Sequence, residues 1–99
     1  MRPVVHSIAI GDLSIDLEER KVFRRAQEVA VTKREFEILR MLMQHPGKLV
    51  TRSAISHAVW GRSATSAKNL LDVHMSTLRK KLGDGYIETV RGEGFRFVA

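Results

Sequence analysis

The chain has no cysteine, and that one absence removes disulfide frameworks, thiolate zinc sites and cysteine nucleophiles together. Apolar runs are short, none near the ~20 residues that a membrane span needs. A phosphate-cradling glycine loop is also missing, because Gly92 and Gly94 fall between β-rich segments with no helix after them. His6, His45 and His57 are scattered without metal-ligand spacing. His74 stands two residues from Asp72, and side chains at that spacing do not face each other on a helix, so a His–Asp catalytic pair is not expected. No enzyme activity, metal or cofactor is therefore expected. Met1 to Val5 carry one arginine, but His6, Ser7, Gly11 and Asp12 interrupt any apolar segment behind it, so no signal peptide is read and the cytoplasm is the expected compartment. Residues 1–6 are expected to form a linker or frayed terminus, and 7–99 a single domain.

A composition of 43% hydrophobic and 28% charged residues in 99 describes a globular chain. Seventeen Lys and Arg against eleven Asp and Glu give a net charge of +6, which suits a polyanionic partner. Residues 1–49 contribute +2 and residues 50–99 contribute +4, so the C-terminal half is where such a partner would bind.

From Ser7 to Val31 apolar residues recur at period two, as Ile8 and Ile10, then Leu13, Ile15 and Leu17, then Val22, then Val29 and Val31. Breaks at Gly11-Asp12, Glu18-Glu19-Arg20 and Arg25-Ala26-Gln27 predict a four-stranded antiparallel meander. Thr32 with Glu35 three residues on predicts a capping box, and Phe36, Ile38, Leu39, Leu42 and Met43 give the first helix a broad apolar stripe. That helix should stop at His45, before Pro46-Gly47. After an extended piece at Leu49-Val50, Thr51 caps a second helix with Ile55, Ala58 and Val59 on its apolar face, closed by Trp60-Gly61. A third helix is predicted from a Ser66 cap to Leu82, stopped by Gly83-Asp84-Gly85. Tyr86 to Val90 and Phe95 to Val98 read as a hairpin around Arg91-Gly92-Glu93-Gly94, with glycine where positive φ is expected.

Leu71, Met75, Leu78 and Leu82 share one stripe of the third helix. At 100° per residue, Asn69, Val73, Ser76 and Lys80 cluster within about 40° of the opposite pole, and Thr77 lies at the edge of that face. Amide and hydroxyl groups can meet base edges, a methyl can meet the thymine methyl, and Arg79, Lys80 and Lys81 can meet phosphates. The helix before it ends in Trp60, the intervening loop carries Arg62 and Lys68, and a hairpin with Arg91 at its tip follows. A helix pair followed by a basic hairpin is a winged helix-turn-helix, an α+β fold.

The chain resembles the C-terminal effector domain of OmpR/PhoB-type bacterial response regulators from Ile8 to Val98. The resemblance is carried by Val31 to Leu39 (VTKREFEIL), His45 to Arg52 (HPGKLVTR), Val59 to Gly61 (VWG), Asp72 to Leu82 (DVHMSTLRKKL) and Thr89 to Phe97 (TVRGEGFRF). It covers the effector domain and not the receiver domain with its phosphoacceptor aspartate, so the chain reads as an excised or stand-alone output domain. The resemblance implies sequence-specific binding of double-stranded DNA for transcription regulation, with the third helix in the major groove and the wing in the adjacent minor groove. It further implies dimers on direct repeats formed from a monomer in isolation, and a polymerase-contact loop at Arg62, Ser63, Ala64 and Thr65. By position, Val73 and Thr77 correspond to base-facing residues, Trp60, His74, Arg79 and Thr89 to phosphate contacts, and Arg91 to the minor-groove arginine. The helical projection adds Asn69, Ser76 and Lys80 to the expected base-facing set and the charge cluster adds Lys81 to the expected phosphate contacts.

The chain departs from the family pattern at several places. Ser76 and Thr77 stand where many relatives carry arginine, Ala26 occupies a hairpin turn where glycine is common, and Glu93 is acidic near the wing tip. Phe95 replaces a tyrosine whose hydroxyl is expected to reach a phosphate. Neutral Ser76 and Thr77 and acidic Glu93 favour a rival reading, an interaction module that docks RNA polymerase or a receiver domain through the N-terminal sheet and binds DNA weakly or not at all.

Overall fold

A computed structural model describes residues 6–64 and 68–98; the expectations for residues 1–5, for Thr65 and for a Ser66 cap lie outside the described residues. The alternating N-terminal segment forms β1 (Ser7–Ile10), β2 (Leu13–Asp16), β3 (Lys21–Arg24) and β4 (Gln27–Val29), paired in chain order as an antiparallel sheet. Leu13, Ile15 and Val22 point from one face of it into the core. Val31 lies beyond β4 and packs against that core from outside the sheet.

The β3–β4 turn consists of Arg25 and Ala26, both at positive φ (51° and 66°), with Arg24 opposite Gln27. This is type I′ geometry, favoured by strand twist but best served by glycine at its second position. A Cβ in the left-handed region costs about 1–2 kcal/mol, partly offset by the looser unfolded chain that glycine brings. Ala26→Gly is thus expected to raise stability by about 0.5–1 kcal/mol, seen as a higher urea midpoint at unchanged slope. A lower midpoint would show that the turn is not strained by the methyl group.

Helix α1 (Lys33–Gln44) carries the expected capping box: Thr32 Oγ1 accepts from the Glu35 amide, and the Glu35 carboxylate accepts from the Thr32 amide. Its apolar stripe is buried through Phe36, Ile38, Leu39, Leu42 and Met43. Helix α2 (Arg52–Trp60), capped by Thr51, buries Ile55 and Ser56 and leaves Ala58 exposed, which corrects the expected apolar face by one residue. A 3-10 turn over Gly61–Ser63 follows, and α3 (Lys68–Leu82) buries Leu71, Met75, Leu78 and Leu82.

The hairpin strands β6 (Ile87–Val90) and β7 (Gly94–Phe97) are joined by β5 (Val50–Thr51) in the order β5-β7-β6. The extended piece between α1 and α2 is therefore the third strand of the wing sheet. Gly92 takes the expected positive φ, whereas Gly94 does not: a Cβ there would stand 2.1 Å from the Val50 carbonyl oxygen. Glycine at 94 answers a close approach of backbones.

Polar links tie the N-terminal sheet to the rest, among them Arg20 of the β2–β3 turn to Glu37 of α1. Arg24 donates to the Leu82 carbonyl at the end of α3, and the Tyr86 hydroxyl donates to Asp12 Oδ1 at 2.5 Å. Bonds from Tyr86 and then Arg25 hold the Asp12 carboxyl below its ordinary range, and the same Asp12 bond pushes the Tyr86 phenol above its own. A depressed Asp contributes stability above its unfolded pKa near 4 and loses it as pH falls through the folded value. A raised Tyr contributes below about 10 and loses it as pH rises through the folded value. Tyr86→Phe should melt below the parent at about pH 7, and the gap should narrow toward about pH 2 in thermal melts. A gap that stays constant with pH would place the tether elsewhere.

Candidate nucleic-acid interface

The face of α3 opposite its buried stripe is open. Val73 is 58% exposed, and Ser76, Thr77 and Lys80 are exposed beside it, as the helical projection places them. Leu70 joins them at 46% exposure and was not anticipated; its signal was an apolar residue lying off the Leu71–Leu82 stripe. The Thr77 hydroxyl donates to the Val73 carbonyl at 3.1 Å, so its proton is committed to the helix backbone. The side chain of Asn69 lies outside the described residues.

Arg79 leaves the helix sideways and reaches the wing, where one Nη donates to Thr89 Oγ1 at 2.7 Å and to the Ile87 carbonyl at 3.2 Å. Two side chains expected to touch phosphates are thus bonded to each other, and they fix β6 beside α3. Phe95 corrects its expectation. It is only 3% exposed, and its ring faces the Arg79 and Arg52 guanidiniums at 5.4 and 5.7 Å, so a hydroxyl added at 95 would enter the wing–helix junction. Arg52 also forms a bidentate pair with Asp72 at 2.8 and 2.9 Å, which gives the Asp72 carboxylate a structural partner on α2. Neither Arg52 nor the pairing could be read locally, since the partners are twenty residues apart.

On the other flank of α3, the His74 ring packs on Trp60 at 5.7 Å between centroids, and the Arg34 guanidinium covers the indole at 5.2 Å. Trp60 and His74 are both half-buried, so each serves core and surface at once. Arg34 brings an exposed cation from α1 that sequence reasoning missed, because its distance in sequence hides the stack.

Two further residues of the expected site are engaged within the fold. Lys81 pairs with Glu35 of α1 at 2.6 Å, and Glu35 is 1% exposed, so the ammonium compensates a buried carboxylate on the side of α3 that meets α1. Ala64, expected in the polymerase-contact loop, is buried at 7% exposure, while Arg62 is exposed and the side chain of Ser63 lies outside the described residues. At the wing tip Arg91, Gly92 and Glu93 are exposed, and along the strands Arg96 pairs with Glu88 directly opposite it.

Between α3 and the wing runs an open groove of about 350 Å³, lined by Asp72, Ser76, Arg79, Lys80 and Thr89 with Phe95 at its base. Among the described residues no three His, Asp or Glu side chains converge as metal ligands, and no helix is long and apolar enough to cross a membrane.

Residues 26–97 match the family described as transcriptional regulatory protein, C terminal. The chain is 34% identical over 97 residues to the transcriptional regulatory protein TrcR of Mycobacterium tuberculosis, covering 95% of this chain and 38% of that protein. It is 38% identical over 89 residues to the phosphate regulon transcriptional regulatory protein PhoB of Rhizobium meliloti, covering 86% and 39%. The chain thus spans only 38–40% of the length of the curated relatives it matches. Among solved structures, the RstA DNA-binding domain of Klebsiella pneumoniae in complex with the RstA box superposes with a TM-score of 0.83 at 33% identity, over 93% of this chain and 96% of that one. The DNA-binding domain of CpxR from E. coli gives 0.85 at 30% identity, over 94% and 96%.

Proposed function

Because the chain belongs to the transcriptional regulatory protein C-terminal family, the OmpR/PhoB-type effector domains, we propose that it binds double-stranded DNA sequence-specifically as the output domain of a response regulator. In this reading α3 enters the major groove and the wing enters the adjacent minor groove. The observation that carries it is the bond from Arg79 to Thr89, which presents the open face of α3 and the Arg91 tip as parts of one surface. Asn69, Val73, Ser76, Thr77 and Lys80 then face bases. Trp60, His74, Thr89 and the newly found Arg34 line the phosphates, while Arg79 holds the wing in place for them. Lys81 leaves the contact set. Two copies on direct repeats and a polymerase contact at the exposed Arg62 of the α2–α3 loop complete the proposal, in the cytoplasm.

Arg34, Arg62, Lys80 and Arg91 are exposed and, among the described residues, form no ion pair. Neutralising about three to five phosphates per copy should make log K fall with log salt at a slope of roughly −3 to −4.5. Arg91→Ala should lower that slope by about one and remove any preference for A·T pairs beside the site. A slope near zero on every duplex would favour the rival interaction module, whose support is the exposed Glu93 and the internal pairing of Lys81.

A further inference from the structure

Three cations on the last turn of α3 would ordinarily suggest guanine reading, since Arg and Lys pair with guanine O6 and N7. Here two of the three are engaged inside the protein: Arg79 bonds to the wing and Lys81 to Glu35. The remaining open surface of the helix splits lengthwise. One flank, facing the groove toward the wing, carries Ser76 and Lys80. The other carries Leu70, Val73 and Thr77, spaced i, i+3, i+7 and all exposed, with the Thr77 hydroxyl proton turned back onto the Val73 carbonyl. Leu70 to Thr77 spans about 10 Å at 1.5 Å per residue, close to three base-pair rises of about 3.4 Å.

Resting on the DNA-binding reading above, we propose that this Leu70–Val73–Thr77 strip reads thymine 5-methyl groups, so that the preferred site is specified by a row of two or three thymines on the major-groove side. Charge identifies the occupant. On the helical projection the apolar strip is bounded on one side by His74, with Trp60 and Arg34 stacked against it, and on the other by Lys80. An apolar strip flanked by cations on both sides matches a methyl row in a groove walled by phosphates and floored by base acceptors. An apolar protein segment would leave the margins without partners. Major-groove edges offer methyl groups only at thymine, which makes the base assignment specific.

The test uses this chain and duplexes that it selects from a random pool. Replacing single thymidines by deoxyuridine removes the methyl and leaves base pairing intact. At two or three adjacent positions affinity should drop about three- to fivefold each, the transfer free energy of one methyl group. Replacing guanines that face this strip by 7-deazaguanine should change affinity by less than about twofold, since Arg79 and Lys81 are engaged within the protein and the strip itself carries no cation to meet N7. Thr77→Ser should lose affinity, and Val73→Ala should no longer distinguish thymine from uracil at the position that faces Val73 while the other positions still do. Uracil substitution that is silent everywhere, or a large 7-deazaguanine effect at those guanines, overturns the inference while salt-dependent binding leaves the DNA reading standing. Absence of salt-dependent binding to any selected duplex overturns both.

Discussion

Gly94→Ala is expected to cost about 3 kcal/mol or more, a large fraction of the 5–15 kcal/mol that a domain of this size has. The added methyl would meet the Val50 carbonyl oxygen at 2.1 Å, the Thr51 Cα at 2.9 Å and the Val50 carbonyl carbon at 3.0 Å. All three atoms are backbone, so no side chain can rotate away. Relief requires β5 to leave β7, which breaks the pairing of Val50 with Phe95 and Thr51 with Gly94 and loosens the bond from the Arg52 amide to the Glu93 carbonyl. It also uncovers Phe95, whose ring supports both Arg52 and Arg79. The melting temperature should fall by about 12 °C or more, taking about 4–8 °C per kcal/mol. Gly92→Ala is the control: Gly92 has positive φ of 76° and open space around it, so only the left-handed backbone cost of about 1–2 kcal/mol applies. Equal losses at the two positions would mean that β5 yields without leaving the sheet, and the close approach would not be what requires glycine.

What could be read from the chain follows the range over which the signals act. The capping box of α1 lies within four residues, Thr32 to Glu35, and the Pro46-Gly47 stop is equally local, so that helix matched its expected span. The α3 stripe and the meander are periodic, and period survives without knowledge of partners. Strand β5 is two residues long, too short for any period, and its pairing to β7 crosses more than forty residues. With β5 hidden, Phe95 looked like a wing surface residue and Gly94 like a turn glycine. Angular position gave the open face of α3 correctly, but it could not show that Arg79 turns to Thr89 or that Lys81 turns to Glu35, because both targets belong to other elements. Charge counted along the helix therefore overstated the cations available at its surface.

Lys81→Met is expected to destabilise the fold by about 2 kcal/mol while leaving DNA binding by the folded protein nearly unchanged. Glu35 is 1% exposed and accepts from two groups, the Thr32 amide at 2.9 Å and Lys81 Nζ at 2.6 Å. Removing the ammonium leaves a carboxylate held by one amide in the junction of α1 and α3. Breaking a fully buried pair costs about 3–5 kcal/mol, and the partial exposure of Lys81 lowers that figure through solvent screening. Glu35→Gln in the same chain should recover most of the loss, because a neutral amide oxygen can still accept from Thr32 without a counter-ion. The double-mutant cycle in urea measures this recovery, and a coupling near zero would reduce the contact to an ordinary surface pair. Binding gives the second measurement. If Lys81 neutralised a phosphate, its loss would lower the salt slope by about one. With Lys81 held against α1, the slope of Lys81→Met should match that of the parent within experimental error, whereas Arg91→Ala, at the exposed tip, should shift it.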